Sequence, residues 1–159
     1  MSIILFVIKF ILFATLCIAL VAHFFITIDN PQLEALGAGD FFIYSREVVA
    51  SPLVISTTHV GFGIIYKTRA ENAMELRRKF DVIDGESITL DRAKSTRDVL
   101  RLLGHEVVDE HSGGGKVVTY AFSGRGREFI VSDGRRINLQ VVERGGRTSV
   151  GWPVILGSF

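Results

Sequence analysis

The sequence predicts an α+β protein: an N-terminal transmembrane or signal helix, then two helices packed on one face of an antiparallel sheet. Three observations support this: one long apolar run at the start, two helical patterns in the middle, and alternating apolar and polar residues afterwards. The predicted organisation is residues 1–28 as a transmembrane anchor or signal segment, 29–40 as a linker, and 41–159 as an α+β globular domain.

The apolar run from Ile3 to Ile28 is interrupted only by Lys9 and His23. As a helix it would rise about 39 Å at ~1.5 Å per residue, and the hydrocarbon core of a bilayer is about 30 Å thick. We therefore expect membrane lipid to be a partner of Ile3–Ile28. A cleaved signal peptide is the alternative, but Leu20 occupies the position that prefers a small residue if cleavage follows Ala22. The sequence favours an uncleaved anchor.

Positive charge near the ends of this segment predicts its orientation. Lys9 and the amino terminus lie on one side, and no Lys or Arg follows until Arg46. The prediction is a single-pass anchor with its N-terminus in the cytoplasm and the domain outside; secretion after cleavage is the alternative. Cys17, the only cysteine, lies inside the apolar run, so disulfides and Cys-ligated zinc are excluded from the globular part.

The first part of the domain reads as strands followed by two helices. Thr68 and Glu71 form a T-x-x-E capping box, which predicts a helix over Arg69–Phe80. A second helix is predicted over Asp91–Leu103, ended by Gly104. The predicted strands before these helices are Phe41–Ala50, Leu53–Thr58 and Val60–Lys67.

From His105 the apolar residues alternate with a period of two, which predicts an antiparallel meander. Asp133-Gly134 and Gly145-Gly146 are typical of tight hairpin turns. The predicted strands are His105–Glu110, Lys116–Ser123, Glu128–Ser132, Arg136–Glu143 and Thr148–Leu156.

Positive charge collects at the predicted turns of this meander. Residues 29–115 carry 10 Lys and Arg against 14 Asp and Glu, whereas residues 116–159 carry 7 against 3. An anionic polymer, lipid headgroups or a protein could bind there; the alternative is that Gly and Arg only populate turns. The candidate binding residues are Arg125, Arg127, Arg135, Arg136, Arg144 and Arg147.

Few aromatic residues accompany these cations, and Tyr120, Phe122 and Phe129 alternate with polar residues as core residues do. We therefore expect no nucleic-acid partner. His59, His105 and His111 lack the spacing of metal ligands. We assign no catalytic residues, no metal site and no cofactor.

A polar cluster at the end of one predicted strand keeps an enzyme hypothesis open. Asp109, Glu110 and His111 could form a general acid–base pair if their side chains met in a pocket. Such clusters are also common at strand ends. Because the chain contains no G-x-S-x-G, S-x-x-K, H-E-x-x-H or P-loop motif, the sequence favours a protein that is not an enzyme.

The C-terminal third contains the segments VVTYAFS (Val117–Ser123), DGRRINLQVV (Asp133–Val142) and GRTSVGWPVILGSF (Gly146–Phe159), and IYSRE (Ile43–Glu47) lies nearer the start of the domain. In these segments the chain resembles the YwmB-like family of spore-forming Firmicutes. The resemblance implies a secreted or anchored protein whose fold is similar to that of the TATA-box-binding protein, a curved antiparallel sheet with helices on one face. It implies neither DNA binding nor any active-site residues.

These observations predict a non-enzymatic, membrane-anchored extracytoplasmic interaction domain in cell-envelope or sporulation-related assembly. Two alternatives stay open. One is an enzyme that modifies envelope polymers. The other is a small subunit of a membrane complex, in which Lys9 would need a buried partner or a headgroup.

Overall fold

Strands dominate the computed structural model, which describes residues 32–124, 128–153 and 155. The strands in this part of the chain are β1 (Gly39–Ser45), β2 (Ser56–Val60), β3 (Gly63–Arg69), β4 (Gly85–Leu90), β5 (Glu106–Gly113), β6 (Lys116–Phe122), β7 (Ile130–Ser132), β8 (Arg135–Ile137), β9 (Leu139–Arg144) and β10 (Arg147–Trp152). The helical segments are a first 3-10 helix (Leu33–Leu36), a second 3-10 helix (Ala70–Asn72), α1 (Ala73–Arg77) and α2 (Thr96–Leu103).

Eight of the strands form one antiparallel sheet in the order β2-β3-β1-β4-β10-β9-β6-β5, and β7 pairs with β8 in a separate hairpin. The first four strands of the chain build one half of the sheet. The other half comes from β5, β6, β9 and β10. The halves join where β4 pairs with β10, with Ser149 opposite Thr89 and Trp152 opposite Glu86.

One face of this sheet carries the hydrophobic core. Phe41 on β1 lies opposite Ile88 on β4, and Ile88 lies opposite Val150 on β10; all three are fully buried. Burying each such side chain stabilises the fold by about 1.5–3 kcal/mol. The short helical segments contribute further residues to the same core, namely Leu33, Leu36, Ala73, Leu76, Val99 and Leu100.

The predicted α+β fold with two helices packed on one face of the sheet is wrong. The described chain is mostly antiparallel sheet, and its two α-helices span only five and eight residues. Thr68 extends β3 instead of capping a helix, because its buried hydroxyl donates to the backbone oxygen of Leu53 at 2.7 Å. Ser95 accepts from the Asp98 amide and so starts α2 several residues after Asp91.

Two further parts of the strand prediction differ from the observed structure. Strand β4, in the middle of the sheet, was not predicted, because Asp84-Gly85-Glu86 at its start looks like a polar turn. The strand predicted over Arg136–Glu143 is divided into β8 and β9 at Asn138. Both hairpin turns were predicted at the correct residues, since Asp133-Gly134 joins β7 to β8 and Gly145-Gly146 joins β9 to β10.

The N-terminal predictions fall mostly outside the described residues. This holds for the anchor or signal segment 1–28. Part of the predicted linker 29–40 is described, and its Leu33 and Leu36 are buried in the core. Within the described ranges, no helix has both the length and the apolar character needed to cross a membrane.

A buried ion network ties the first 3-10 helix and α1 to the sheet. Arg77 donates to Glu86 Oε1 at 2.6 Å and to Glu34 Oε1 at 2.8 Å, and its guanidinium lies 5.7 Å from the centre of the Phe41 ring. Glu86 has a fully buried side chain, whereas 14% of Glu34 is exposed. An isolated charge at Glu86 would be strongly unfavourable, so Arg77 is required there.

Burial and the shared cation shift the two carboxyl pKa values in opposite directions. Burial raises the pKa of Glu86 above its ordinary value of 4.5, although the hydrogen bonds and charge of Arg77 lower it. For Glu34 burial also acts to raise the pKa, but the hydrogen bonds and charge of Arg77 outweigh it and leave the pKa lowered. Glu34 therefore contributes stability at neutral pH that is lost as the pH falls through its folded pKa.

Replacing Arg77 by Met should reduce the free energy of unfolding at pH 7 by about 3–5 kcal/mol, because Glu86 then stays buried without its cation. The penalty should shrink as the pH is lowered toward 4.5, since Glu86 becomes protonated. Urea unfolding of the detergent-solubilised chain, followed by the fluorescence of the single buried Trp152, measures both effects. Arg78→Met, at the exposed residue directly after α1, is the control, and an equal loss in both variants would contradict the role of the network.

Candidate functional site

Two hairpin turns at one end of the sheet form an open cleft of about 400 Å³. One turn, Gly114-Gly115, joins β5 to β6, and the other, Gly145-Gly146, joins β9 to β10. All four glycines have positive φ values, between 55° and 73°. A two-residue turn of this kind needs positive φ at both central positions, which glycine adopts without steric cost. Among the described residues, the lining is Ala93, Ser112, Gly113, Gly115, Lys116, Val117, Glu143, Arg144, Gly145, Gly146, Arg147 and Thr148.

Three cationic residues of this lining are neighbours across strands. Lys116 at the start of β6 lies opposite Arg144 at the end of β9, and Arg144 lies opposite Arg147 at the start of β10. Like charges on directly opposite residues repel one another. The row of cations therefore gives this end of the sheet a positive potential that favours the approach of an anion.

The cleft also contains one carboxylate, Glu143, which is bound by the start of α2. The backbone N–H of Thr96 donates to Glu143 Oε1 at 2.6 Å, and the Thr96 hydroxyl donates to the same oxygen at 2.5 Å. The N-terminus of a helix favours an adjacent negative charge. Adjacent residues of a strand point to opposite faces, so Glu143 lies on the core face of β9, as Val141 does, and Arg144 lies on the other face.

The predicted binding arginines that the structure describes lie in two separate places. Arg144 and Arg147 line the cleft. Arg135 instead lies beside β5, where it donates to the backbone oxygen of Val108 at 3.0 Å and approaches Asp109 Oδ2 at 3.4 Å. The guanidinium of Arg136 lies 4.7 Å from the centre of the Phe129 ring.

The remaining two predicted residues, Arg125 and Arg127, lie outside the described residues. The β7–β8 hairpin that carries Arg135 and Arg136 leaves the sheet near Ala121 and Leu139, the end opposite Lys116 and Arg144. The predicted turns of the meander therefore do not form one common basic rim among the described residues.

The proposed acid–base cluster does not meet in a pocket. Asp109 and His111 lie on one side of β5, with Asp109 Oδ2 3.5 Å from His111 Nε2. Glu110 points to the other side, where it accepts from the Thr119 hydroxyl at 3.1 Å. The alternation of side chains along a strand causes this separation. Across residues 32–124, 128–153 and 155, no group of three or more His, Cys, Asp or Glu residues could hold a metal ion.

Within the segment Asp133–Val142, on which the family resemblance partly depends, Asn138 and Gln140 have structural roles. The buried Asn138 accepts from the Ser123 N–H and donates to the Ser123 oxygen, both at 2.9 Å. These two bonds join the chain just after β6 to the chain just before β9, on either side of the β7–β8 hairpin. Gln140 accepts from the Ile155 N–H at 2.9 Å and holds the chain that follows β10. Leu139 between them is fully buried in the core. The contacts of Asn138, Leu139 and Gln140 are therefore structural ones.

Comparison with known proteins returned no match of this chain to a family model, a curated protein or a solved structure. The resemblance to the YwmB-like family therefore stays a prediction.

Lys116, Glu143 and Thr96 were not predicted as site residues. A signal for Lys116 was present, since it directly follows a glycine run just as Arg144 directly precedes one. Their proximity depends on the pairing of β6 with β9, and the β7–β8 hairpin separates those strands along the chain. The contact of Thr96 with Glu143 joins residues 47 positions apart.

Replacing Thr96 by Val should lower the free energy of unfolding by about 1.5–3 kcal/mol, because the carboxylate of Glu143 loses a hydroxyl donor. Thermal unfolding of the solubilised chain measures the loss. Ser132→Ala on the exposed strand β7, which also removes one hydroxyl, is the control and should change stability by less than about 0.5 kcal/mol. Equal stability of the Thr96 variant and the wild type would show that this bond contributes nothing.

Proposed function

We propose that this protein is a non-enzymatic, membrane-anchored interaction domain that lies outside the membrane and binds an anionic polymer. Binding takes place at the basic cleft between the β5–β6 and β9–β10 turns. The alignment of Lys116, Arg144 and Arg147 across three adjacent strands is the observation that carries this proposal.

The geometry of the cleft suits an extended anion. Strands in a sheet lie about 4.8 Å apart, so a row across three strands spans about 10 Å. Successive anionic groups of a polymer can contact such a row together, whereas a single small anion would contact fewer cations. Arg contributes a planar guanidinium that can bind phosphate or carboxylate oxygens through two parallel hydrogen bonds.

The anchor part of the proposal depends on the apolar run Ile3–Ile28 and on the charge near its ends. A domain outside the membrane would meet the anionic polymers and lipid headgroups of the cell envelope. A role in envelope or sporulation-related assembly fits this placement, and the resemblance to the YwmB-like family is consistent with it. A small subunit of a membrane complex remains the alternative.

Replacing both Arg144 and Arg147 by Ala should weaken binding of the full, detergent-solubilised chain to fluorescently labelled inorganic polyphosphate by at least about tenfold, or ~1.4 kcal/mol. Fluorescence anisotropy measures the affinity. Binding of the wild-type chain should weaken with added salt, because exposed charges are screened.

The matched control replaces Arg78 and Lys79 by Ala, which removes the same charge from exposed positions at the end of α1. Equal losses of affinity in the two double variants would mean that polyphosphate binding depends only on the net charge of the protein. A wild-type chain that does not bind at low salt would refute the proposed ligand class. Binding to anionic lipid vesicles but not to polyphosphate would assign the cleft to headgroups.

Topology can be tested separately. A reporter phosphatase that is active only outside the cytoplasm, fused to the C-terminus, should be active in cells. A cytoplasmically active reporter at the same position should be silent. The reverse pattern would place the domain inside and refute the extracytoplasmic assignment.

A further inference from the structure

The two edges of the eight-stranded sheet differ in how they are protected. An edge strand exposes unpaired backbone N–H and C=O groups, and proteins usually protect such edges with charges, bulges or covering segments. Strand β5 has all three. It carries Glu106, Asp109 and Glu110, its pairing with β6 is irregular between Val107 and Asp109, and Arg135 from the β7–β8 hairpin binds its Val108 oxygen.

Strand β2, at the other edge, is less protected: among the described residues its irregularity is confined to its start, where the Ile55 N–H donates to the oxygen of Lys67, the residue opposite Ser56. Its sequence, Ser56-Thr57-Thr58-His59-Val60, contains no Lys, Arg, Asp, Glu or Pro, and every residue in it is exposed. Its pairing with β3 is regular from Ser56 to Val60. An exposed, regular and uncharged edge of this kind is typical of a strand that pairs with another chain.

The β2–β3 turn shows which backbone groups of β2 face outward. Val60 and Gly63 flank a two-residue turn and form a hydrogen-bonded pair. Hydrogen-bonded pairs alternate in an antiparallel ladder, so Ser56 and Thr58 direct their backbone groups toward β3. The N–H and C=O groups of Thr57 and His59 therefore point away from the sheet.

These outward groups are self-complementary. If a two-fold axis passes through Thr58, each Thr57 lies opposite His59 of a second copy. Both members of that pair present outward N–H and C=O groups, so four backbone hydrogen bonds can form between the copies. Because the strand carries no Lys, Arg, Asp or Glu, no like charges meet across the axis.

The same arrangement covers exposed apolar side chains. Phe62 at the tip of the β2–β3 turn is 98% exposed, and Ile55 just before β2 is 58% exposed. In a register centred on Thr58, Phe62 of one copy lies level with Val54 and Ile55 of the other. Each end of the paired strands would thus remove an exposed aromatic ring from water.

We infer that β2 is a self-association edge at which a second copy of this chain adds antiparallel to β2 about a two-fold axis at Thr58, giving a continuous sixteen-stranded sheet. An isologous contact of this kind forms a closed dimer. It joins five-residue strands, so its buried area lies at the low end of specific interfaces, below about 1,200 Å². The dimer is therefore a reversible one.

A cysteine at the axis tests the inference directly. In the full chain with Cys17→Ser, Thr58→Cys should form an intermolecular disulfide under mild oxidation. Opposite residues in a non-hydrogen-bonded pair have Cα atoms about 4.5 Å apart, within the disulfide range of about 4.4–6.8 Å. The matched variant Ser56→Cys has its side chain on the same face but should not crosslink, because the two copies of residue 56 would lie about 13 Å apart.

A second measurement does not depend on cysteine chemistry. Sedimentation of the solubilised chain should show a concentration-dependent dimer for the wild type and for Glu106→Lys on the β5 edge. Thr58→Lys should shift the chain to monomer, because two like charges then meet at the axis. Trp152 fluorescence confirms that each variant is folded.

Several results would overturn the inference. Equal crosslinking at residues 56 and 58 would indicate a parallel pair or random collision. A dimer that persists in Thr58→Lys would place the contact elsewhere, for example in the apolar run. A chain that stays monomeric and crosslinks at neither position would show that β2 does not pair with a second copy, and an extended segment of another protein would then be the candidate partner of this edge.

Discussion

The bifurcated ion network of Arg77 is the interaction on which the rest of the core depends. Glu86 belongs to β4, the strand at which the two halves of the sheet meet, and its side chain is fully buried. A charge in that position is tolerated only with a cation and good hydrogen-bond geometry. Arg77 supplies both, and by also binding Glu34 it fixes the first 3-10 helix over the core.

The same network bears on where α1 ends. The guanidinium must approach Glu86 and the Phe41 ring from above the sheet, so α1 has to end beside β4. In the chain before α1, Arg69 on β3 binds Asp40 at 3.0 Å and also pairs with Asp91. Strand β3 therefore continues to Arg69, and few residues remain for a helix. Exposed pairs such as these add little stability individually but fix where elements end.

The cleft and the β2 edge lie on opposite halves of the sheet, and each is built from a tight turn. At the cleft, glycine turns place Lys116, Arg144 and Arg147 beside one another. At the edge, the Gly61-Phe62 turn fixes which backbone groups of β2 face outward. A dimer through β2 would leave both clefts exposed, one on each copy. An anionic polymer could then contact two clefts at once, which raises the effective affinity without any new contact.

Local chemistry was enough to predict the Asp133-Gly134 and Gly145-Gly146 turns, because a two-residue turn needs residues that tolerate positive φ. It also predicted strands over Lys116–Ser123 and Arg136–Glu143, which contain β6 and most of β9, and named Arg144 and Arg147 as candidate binding residues. The tertiary structure alone decided that Glu86 belongs to a central strand, that Arg135 and Arg136 make internal contacts, and that Lys116 joins the cleft. Each of these depends on contacts between residues distant in the chain, and no local pattern encodes which strands pair when they are not joined by a tight turn.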